Sequence, residues 1–306
     1  MKKNLLKMDD LSKEEILEIL NLADQLKYEQ KHDIEHHHLK GKSLGMIFEK
    51  SSTRTRVSFE VGMYQLGGNS LFLTDRDLQI GRGEPMEDTA RTLSRFLQGI
   101  MIRTFSHEEI EKLAKYSSIP IINGLTDQEH PCQVLADLMT IRENKNILEG
   151  LKVAFIGDGN NMANSLMIGC LKVGMNFAIA SPKEYTASDA YLNRAKEIAE
   201  KEGVTFTATT SPAEAAKDAD VLITDVWTSM GHEEEAAARA EAFKGFQINK
   251  DLMAVADSNA MVLHCLPAHR GEEITAEVLE ENADSIFDES ENRLHAQKAA
   301  LVKLMK

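Results

Sequence analysis

The most chemically loaded stretch of the chain is Ser52-Thr53-Arg54-Thr55-Arg56, set between the apolar run Leu44–Phe48 and the periodic segment Val57–Leu66. The run predicts a buried strand and the segment a helix, so hydroxyl side chains and an arginine fall together at a helix N-terminus. Backbone N–H groups there have no partner within the helix, and the positive end of its dipole favours an anion. Arg54 adds a planar fork matched to two phosphate oxygens. No glycine-rich loop and no Gly-Lys-Ser/Thr ending accompanies the site, which argues against a nucleotide triphosphatase. Taken alone, the same hydroxyl residues also suit ordinary helix caps.

Other residues of chemical interest follow apolar runs. Arg103 closes Gly99-Ile100-Met101-Ile102, and a charge at the end of a buried strand belongs in a cleft, because burying it unpaired is costly. His130-Pro131-Cys132-Gln133 opens a helical segment, with Pro131 at a permitted first-turn position. There the dipole disfavours imidazolium, leaving His130 a neutral donor and Gln133 an amide one turn on, a pair suited to a polarised carbonyl. Gly157-Asp158-Gly159-Asn160-Asn161 follows the strand Lys152–Ile156 and invites a dinucleotide fingerprint. The third glycine position is Met162, however, and no ribose-binding acid follows Ala180-Ser181. What remains is a turn directing Asn161 toward the strand ends. Asp225 ends the run Val221–Thr224, where an acid can hold a ligand cation, and Ser229-Met230-Gly231 beyond it reads as a loop able to fold over a ligand. The chain's one tryptophan, Trp227, would anchor that loop by packing. His264-Cys265-Leu266-Pro267 ends a further strand. Cys265 is a candidate nucleophile without an evident base, and equally a buried thiol.

These residues need a scaffold, and the alternation of short apolar runs with periodic segments supplies one. The first half reads as helix Lys13–Leu26, strand Leu44–Phe48, a helix from about Arg56, a strand near Ser70–Leu73, helix Met86–Arg95 and strand Gly99–Arg103. Helix His107–Tyr116, strand Ile119–Ile122 and helix His130–Glu143 complete it. After the polar stretch Asn144–Gly150, strands are expected at Lys152–Ile156, Asn176–Ala180, Val221–Asp225, Val255–Ala256, Met261–Cys265 and Asp284–Phe287, with a terminal amphipathic helix Asn292–Lys306 led by Arg293. Two alternating series predict two parallel α/β domains, with ligands at the C-terminal strand ends and between the lobes. The expected division is 1–144 with the returning helix 292–306, and 150–288. A chain of 306 residues is long for one core.

A net charge of −14 argues against nucleic acid and anionic membranes as partners. No run approaches the roughly 18 apolar residues of a membrane span, and the start turns acidic before a signal-peptide core forms. Cys132, Cys170 and Cys265 make no disulfide or metal pattern, so a cytoplasmic location is expected. His32, His36, His37 and His38 lie in a polar connection and read as solvated, not as a metal site.

Together, Phe48-Glu49-Lys50-Ser51-Ser52-Thr53-Arg54-Thr55-Arg56, His130-Pro131-Cys132-Gln133, Asp225-Val226-Trp227-Thr228-Ser229-Met230-Gly231 and His264-Cys265-Leu266-Pro267 resemble the aspartate/ornithine carbamoyltransferase family, over the whole chain. The last two motifs mark its ornithine branch. The resemblance implies a transferase of one-carbon groups acting in arginine metabolism. It would move a carbamoyl group from carbamoyl phosphate to the δ-amine of L-ornithine, giving citrulline and phosphate, with no metal or organic cofactor. It implies a phosphate cradle of Ser52, Thr53, Arg54 and Thr55, joined by Gln79. Arg103, His130, Pro131, Cys132, Gln133, Cys265, Leu266 and Arg293 would complete the carbamoyl phosphate site. Asn161, Asp225, Ser229 and Met230 would bind ornithine, and Arg103, His130, Asp225 and Cys265 would act in catalysis. A homotrimer or a multiple of it is also implied. The rivals are a carbamoyltransferase for putrescine or another amine and, from a different class, a nicotinamide-dependent dehydrogenase.

Overall fold

The computed structural model describes residues 3–74, 78–79, 83–229 and 233–306. The chain divides into two compact units, Met1–Met139 with Asn292–Lys306, and Thr140–Glu291. Each is a parallel sheet with helical crossovers, as the alternation of apolar runs and periodic segments requires.

In the first unit the elements are α1 (Lys13–Lys31), β1 (Ser43–Phe48), α2 (Thr53–Gln65), β2 (Asn69–Thr74), α3 (Met86–Leu93), β3 (Gly99–Arg103), α4 (His107–Tyr116), β4 (Ile121–Leu125) and α5 (Pro131–Lys145). Among the described residues the strands lie in the order β2-β1-β3-β4, all parallel. Strand order therefore reverses between β1 and β3, the position where open parallel sheets leave a crevice for ligands. Register pairs Phe48 with Arg103 at the C-terminal ends of those two strands. Every residue of β3 is buried, whereas the edge strand β2 alternates exposed and part-buried positions before turning inward.

The second unit contains β5 (Lys152–Ile156), α6 (Asn161–Lys172), β6 (Asn176–Ala180), α7 (Asp189–Glu202), β7 (Phe206–Thr209), α8 (Pro212–Ala216) and β8 (Val221–Thr224). It continues with α9 (Ala236–Ala242), α10 (Lys250–Met253), β9 (Met261–His264), α11 (Ala276–Glu281) and the start of α12 (Ala283–Met305). The parallel order β7-β6-β5-β8-β9 reverses between β5 and β8. Phe243 is fully buried at the centre of an aromatic group, with the rings of Tyr185, Trp227 and Phe246 at 5.1, 5.8 and 6.0 Å. Trp227 thus anchors the segment after β8 by packing.

Several sequence expectations are corrected. Val255–Ala256 is the turn that follows α10, not a strand, and Asp284–Phe287 is the first turn of α12. Arg293 consequently sits inside a long helix and not at its start. The terminal helix is also not simply two-sided: every residue from Asn292 to Val302 except Leu294 is buried. Its neighbours explain this. A Cβ on Gly62 of α2 would stand 3.2 Å from Lys298, and one on Gly99 of β3 would meet Met305 at 2.9 Å. Lys27 donates to Asn292 at 2.7 Å, and Lys42 reaches the Met305 carbonyl. Fully buried Lys298 donates to Gln65 at 2.9 Å, and burial pushes its pKa down to about 8. His36 is likewise buried, not solvated, 3.1 Å from the Ile34 carbonyl and 3.3 Å from Glu29. Among the described residues, no helix is long and apolar enough to cross a membrane.

Candidate active site

In the first unit, three connections leave the C-terminal ends of β1, β3 and β4, and most candidate residues lie on or beside them, while Gln79 follows β2 and Arg293 comes from α12. Ser52 caps α2: its oxygen accepts from Thr55 N–H at 3.2 Å and its hydroxyl donates to Thr55 Oγ1 at 3.1 Å. Arg293 donates to the same Thr55 oxygen at 2.9 Å. Thr55, fully buried, thereby joins the cap of α2 to the guanidinium of α12 and keeps its own hydroxyl hydrogen to donate. Arg103 is buried at the end of β3, and its carbonyl accepts from Glu49 N–H at 2.9 Å, which fixes the chain leaving β1. Lys50 pairs with Asp127 at 2.6 Å and stands 4.0 Å over the Phe105 ring, so one buried cation gathers all three connections.

His130 stands just before α5 and is buried. Burial first, then the charges of Arg293, Arg103 and Arg54, hold its pKa well below the ordinary histidine value. Desolvation and three guanidinium groups thus favour the neutral imidazole expected from the sequence. Gln133, fully buried one turn on, donates to Asp137 at 2.9 Å, which fixes the orientation of its amide. Cys132 is fully buried, gives its thiol to the Asn123 carbonyl at 3.4 Å, and has its pKa pushed up to about 12 by burial. Its side chain belongs to the core. Gln79 is described and exposed.

In the second unit the corresponding place is the end of β5 beside the end of β8. Asp225, buried, is held on both oxygens. Oδ1 accepts from Val226 N–H at 2.8 Å and from the Cys265 thiol at 3.2 Å, and Oδ2 accepts from the Asn160 amide at 3.0 Å. Asn160, which the sequence argument passed over for Asn161, is the cap of α6, its oxygen accepting from Met162 and Ala163 N–H. The signal was available, since asparagine before an apolar periodic segment is a strong cap. Asn161 is the first residue of α6 and part-buried, as is Ser229; Met230 lies outside the described residues. Asp158 and Arg239 were also missed. They pair at 2.7 Å, and Arg239 further donates to the Trp227 carbonyl at 3.0 Å, tying the glycine turn to the segment after β8. Leu266 follows Cys265 with φ of 56°.

The glycine turn has a reason that involves no dinucleotide. A Cβ on Gly159 would lie 2.0 Å from the backbone nitrogen of Ala187, and Gly159 N–H donates to the Tyr185 carbonyl at 2.8 Å. The close approach that glycine permits is therefore to the chain itself. Among the described residues one group, His269, Glu272 and Glu273, has donor atoms within 4.8 Å of one another. His269 and Glu272 are exposed, and Glu273 Oε1 already takes His264 Nε2 and the His269 N–H.

With the capped α2, the buried His130 and the arginines of the first unit described, and the acid–thiol pair of the second described by itself, the chain can be set beside known proteins. Family models for aspartate/ornithine carbamoyltransferase match residues 3–143 as the carbamoyl-P binding domain and 149–304 as the Asp/Orn binding domain. The chain belongs to the aspartate/ornithine carbamoyltransferase family. Within that family it is similar to an ornithine carbamoyltransferase of Anoxybacillus flavithermus, 57% identical over 99% of this chain and 96% of the relative. One from Methanosarcina acetivorans is 55% identical over 100% of both chains. The solved ornithine carbamoyltransferase from Pyrococcus furiosus superposes with a TM-score of 0.95 at 49% identity, covering 99% of this chain and 97% of that one.

The electrostatics of His130 give a testable consequence for this family member. Its folded pKa lies below the 6.5 of an ordinary histidine, so the unfolded chain binds the proton first. Stability contributed by the neutral ring is present above 6.5 and is lost as pH falls toward the lowered folded value. In an NMR titration the His130 Cε1–H shift should still hold its neutral position at the pH where an ordinary histidine is half protonated. A midpoint at 6.5 or above would contradict the site as described.

Proposed function

We propose that this chain transfers the carbamoyl group of carbamoyl phosphate to the δ-amine of L-ornithine, giving L-citrulline and phosphate. The observation that carries the reading is the gathering of Arg54, Arg103 and Arg293 around the neutral ring of His130. That set suits a phosphate whose neighbouring carbonyl must be polarised. The second support is the fixed carboxylate of Asp225 beside the Cys265 thiol, which suits an amine that must be oriented and relieved of a proton. The curated relatives just described carry the name ornithine carbamoyltransferase.

In this reading residues 1–144 with 292–306 form the carbamoyl phosphate domain and 150–288 the ornithine domain. Ser52, Thr53, Arg54 and Thr55, with Gln79, cradle the phosphate. Arg103, His130 and Gln133 address the carbamoyl group, and Pro131, Cys132, Cys265, Leu266 and Arg293 are assigned to carbamoyl phosphate as well. Asn161, Asp225, Ser229 and Met230 receive ornithine. The amine nitrogen attacks the carbamoyl carbon, the carbonyl electrons move to oxygen, and their return breaks the bond to the phosphate oxygen. Donors placed at that developing oxyanion lower the barrier. The attacking ammonium, with an unperturbed pKa near 10.4 by analogy with lysine, must lose a proton first. Asp225 and Cys265 assist that loss. No oxidation state changes, so the reaction asks for no redox cofactor.

Oligomerisation belongs to the same proposal. Val57, Val61 and Tyr64 recur at helical spacing on α2 and are 51%, 37% and 81% exposed, and Leu71 on the edge strand β2 is 44% exposed. An apolar stripe beside the proposed cradle suits a second copy of the chain, consistent with a cytoplasmic homotrimer or a multiple of it.

Purified protein given carbamoyl phosphate should form citrulline with ornithine. Putrescine and aspartate should be disfavoured by about 100-fold or more in kcat/KM, as expected when a site's polar groups lose their partners. Preference for putrescine would replace the amino-acid reading with its amine rival, and no product from any of them would end it. In sedimentation velocity the wild type should run as a trimer or larger and Val61→Glu as a smaller species. A monomeric wild type would overturn the oligomer.

A further inference from the structure

The connection between β9 and α11 holds side chains that the proposed reaction leaves unused: His269, Glu272 and Glu273. The backbone there has one fixed shape. Glu272 N–H donates to the His269 carbonyl at 2.9 Å and Gly271 N–H to the Ile274 carbonyl at 2.8 Å, with Gly271 at φ 95°. The Gln247 amide donates to the Gly271 and Glu272 carbonyls at 2.8 and 2.7 Å, and Ile248 N–H donates to the Glu273 carbonyl at 2.8 Å. Arg270, the cation of this turn, is engaged by Glu280 at 2.7 Å. The side chains of His269, Glu272 and Glu273 thus start from an anchored turn, and their donor atoms lie within 4.8 Å of one another.

A second observation concerns Glu273 itself, which is fully enclosed. Its Oε1 accepts the His269 N–H at 2.6 Å and stands 3.0 Å from His264 Nε2. Its Oε2 is buried and makes no hydrogen bond among the described residues. A buried carboxylate oxygen left without a partner is costly, and in a folded protein it marks the place of a water or an ion. Beside it stand a second carboxylate and an imidazole. A water would leave the two negative charges facing each other, whereas a cation meets both. His269 Nδ1 and Glu272 Oε2 are 3.6 Å apart, beyond a good hydrogen bond. Two ligand atoms on one tetrahedral zinc, each about 2.1 Å from it, stand about 3.4 Å apart. The spacing suits a shared metal.

We propose that His269, Glu272 and Glu273 form a binding site for a divalent transition-metal ion, zinc in particular. His269 Nδ1, a Glu272 oxygen and Glu273 Oε2 are its ligands, and water completes the shell. An imidazole among carboxylates favours zinc over magnesium and calcium, which take all-oxygen shells. The ion clamps the turn that follows Cys265 and Leu266 and takes no part in carbamoyl transfer. The inference does not rest on the function proposed above.

Isothermal titration of zinc chloride into chelator-dialysed protein at about pH 7.5, above the ordinary histidine pKa, tests it. The wild type should bind zinc, and His269→Ala and Glu272→Gln should each weaken that binding at least about tenfold. Both side chains are about half exposed, at 49% and 53%, so without zinc both variants should melt where the wild type does. Zinc should raise the melting midpoint of the wild type more than that of either variant. Cys265→Ser, which removes the part-exposed thiol, should bind zinc as the wild type does. In 15N spectra of histidine-labelled wild type, zinc should move the Nδ1 resonance of His269. No zinc uptake by the wild type, uptake undiminished in both variants, or uptake lost in Cys265→Ser would each overturn the site. A wild type that binds zinc here but forms no citrulline would remove the functional reading and leave this inference standing.

Discussion

The structure of the first unit turns on one constraint: an imidazole whose charged form is disfavoured by burial and by the guanidinium groups near it. Burial penalises the charged ring, and the charges of Arg293, Arg103 and Arg54 add to the penalty. Bringing those side chains together requires much of the unit to be as it is. Arg103 arrives because β3 is buried throughout and ends at the strand-order reversal. Arg293 arrives because α12 runs deep enough to be enclosed on nearly every side. Thr55 joins Arg293 to the cap of α2, and Lys50 secures the connections that carry the others. A local concentration of positive charge in a chain of net charge −14 is a specific expense of the fold, and an anionic ligand is its natural counterpart.

The second unit repeats the topological solution with the opposite sign of charge. Its strand order also reverses at the centre, and there Asp225 is held on both carboxylate oxygens, by Asn160 on one side and by Cys265 with Val226 on the other. Both units therefore use the one place in an open parallel sheet where two diverging crossovers leave backbone ends uncovered. They load it with arginines in one case and an acid in the other. Arg239 with Asp158 does for the second site what Lys50 and Thr55 do for the first.

Much of this was legible in the sequence because it is local. A short apolar run, a cap and a periodic segment around Ser52 specify strand, turn and helix without reference to the rest of the chain. The same holds for Gly99–Arg103 and for Val221–Asp225. The two parallel domains followed from that alternation. What failed depended on tertiary context. Ile286 and Phe287 make an apolar pair too short to separate strand from helix, and only the continuation into Arg293 and Lys298 shows a helix. His36 looked solvated in a run of histidines, but Leu39 beside it is fully buried and Glu29 of α1 comes within 3.3 Å. The stretch between Ala180 and Val221, where α7, β7 and α8 form, went without assignment, and β7 is a short edge strand with little apolar signal. Glu273, nine residues from His264, gave no sign of its pairing because only the fold brings the two together.

The central claim is that the arginine group around His130 exists to receive a phosphate-bearing anion. Isothermal titration of carbamoyl phosphate into the wild type and into Arg54→Ala tests it most directly. The account predicts saturable one-site binding to the wild type and a loss of at least about 100-fold in the variant, as for a charged hydrogen-bonding partner removed from a desolvated site. Equal affinity in the two proteins would contradict it.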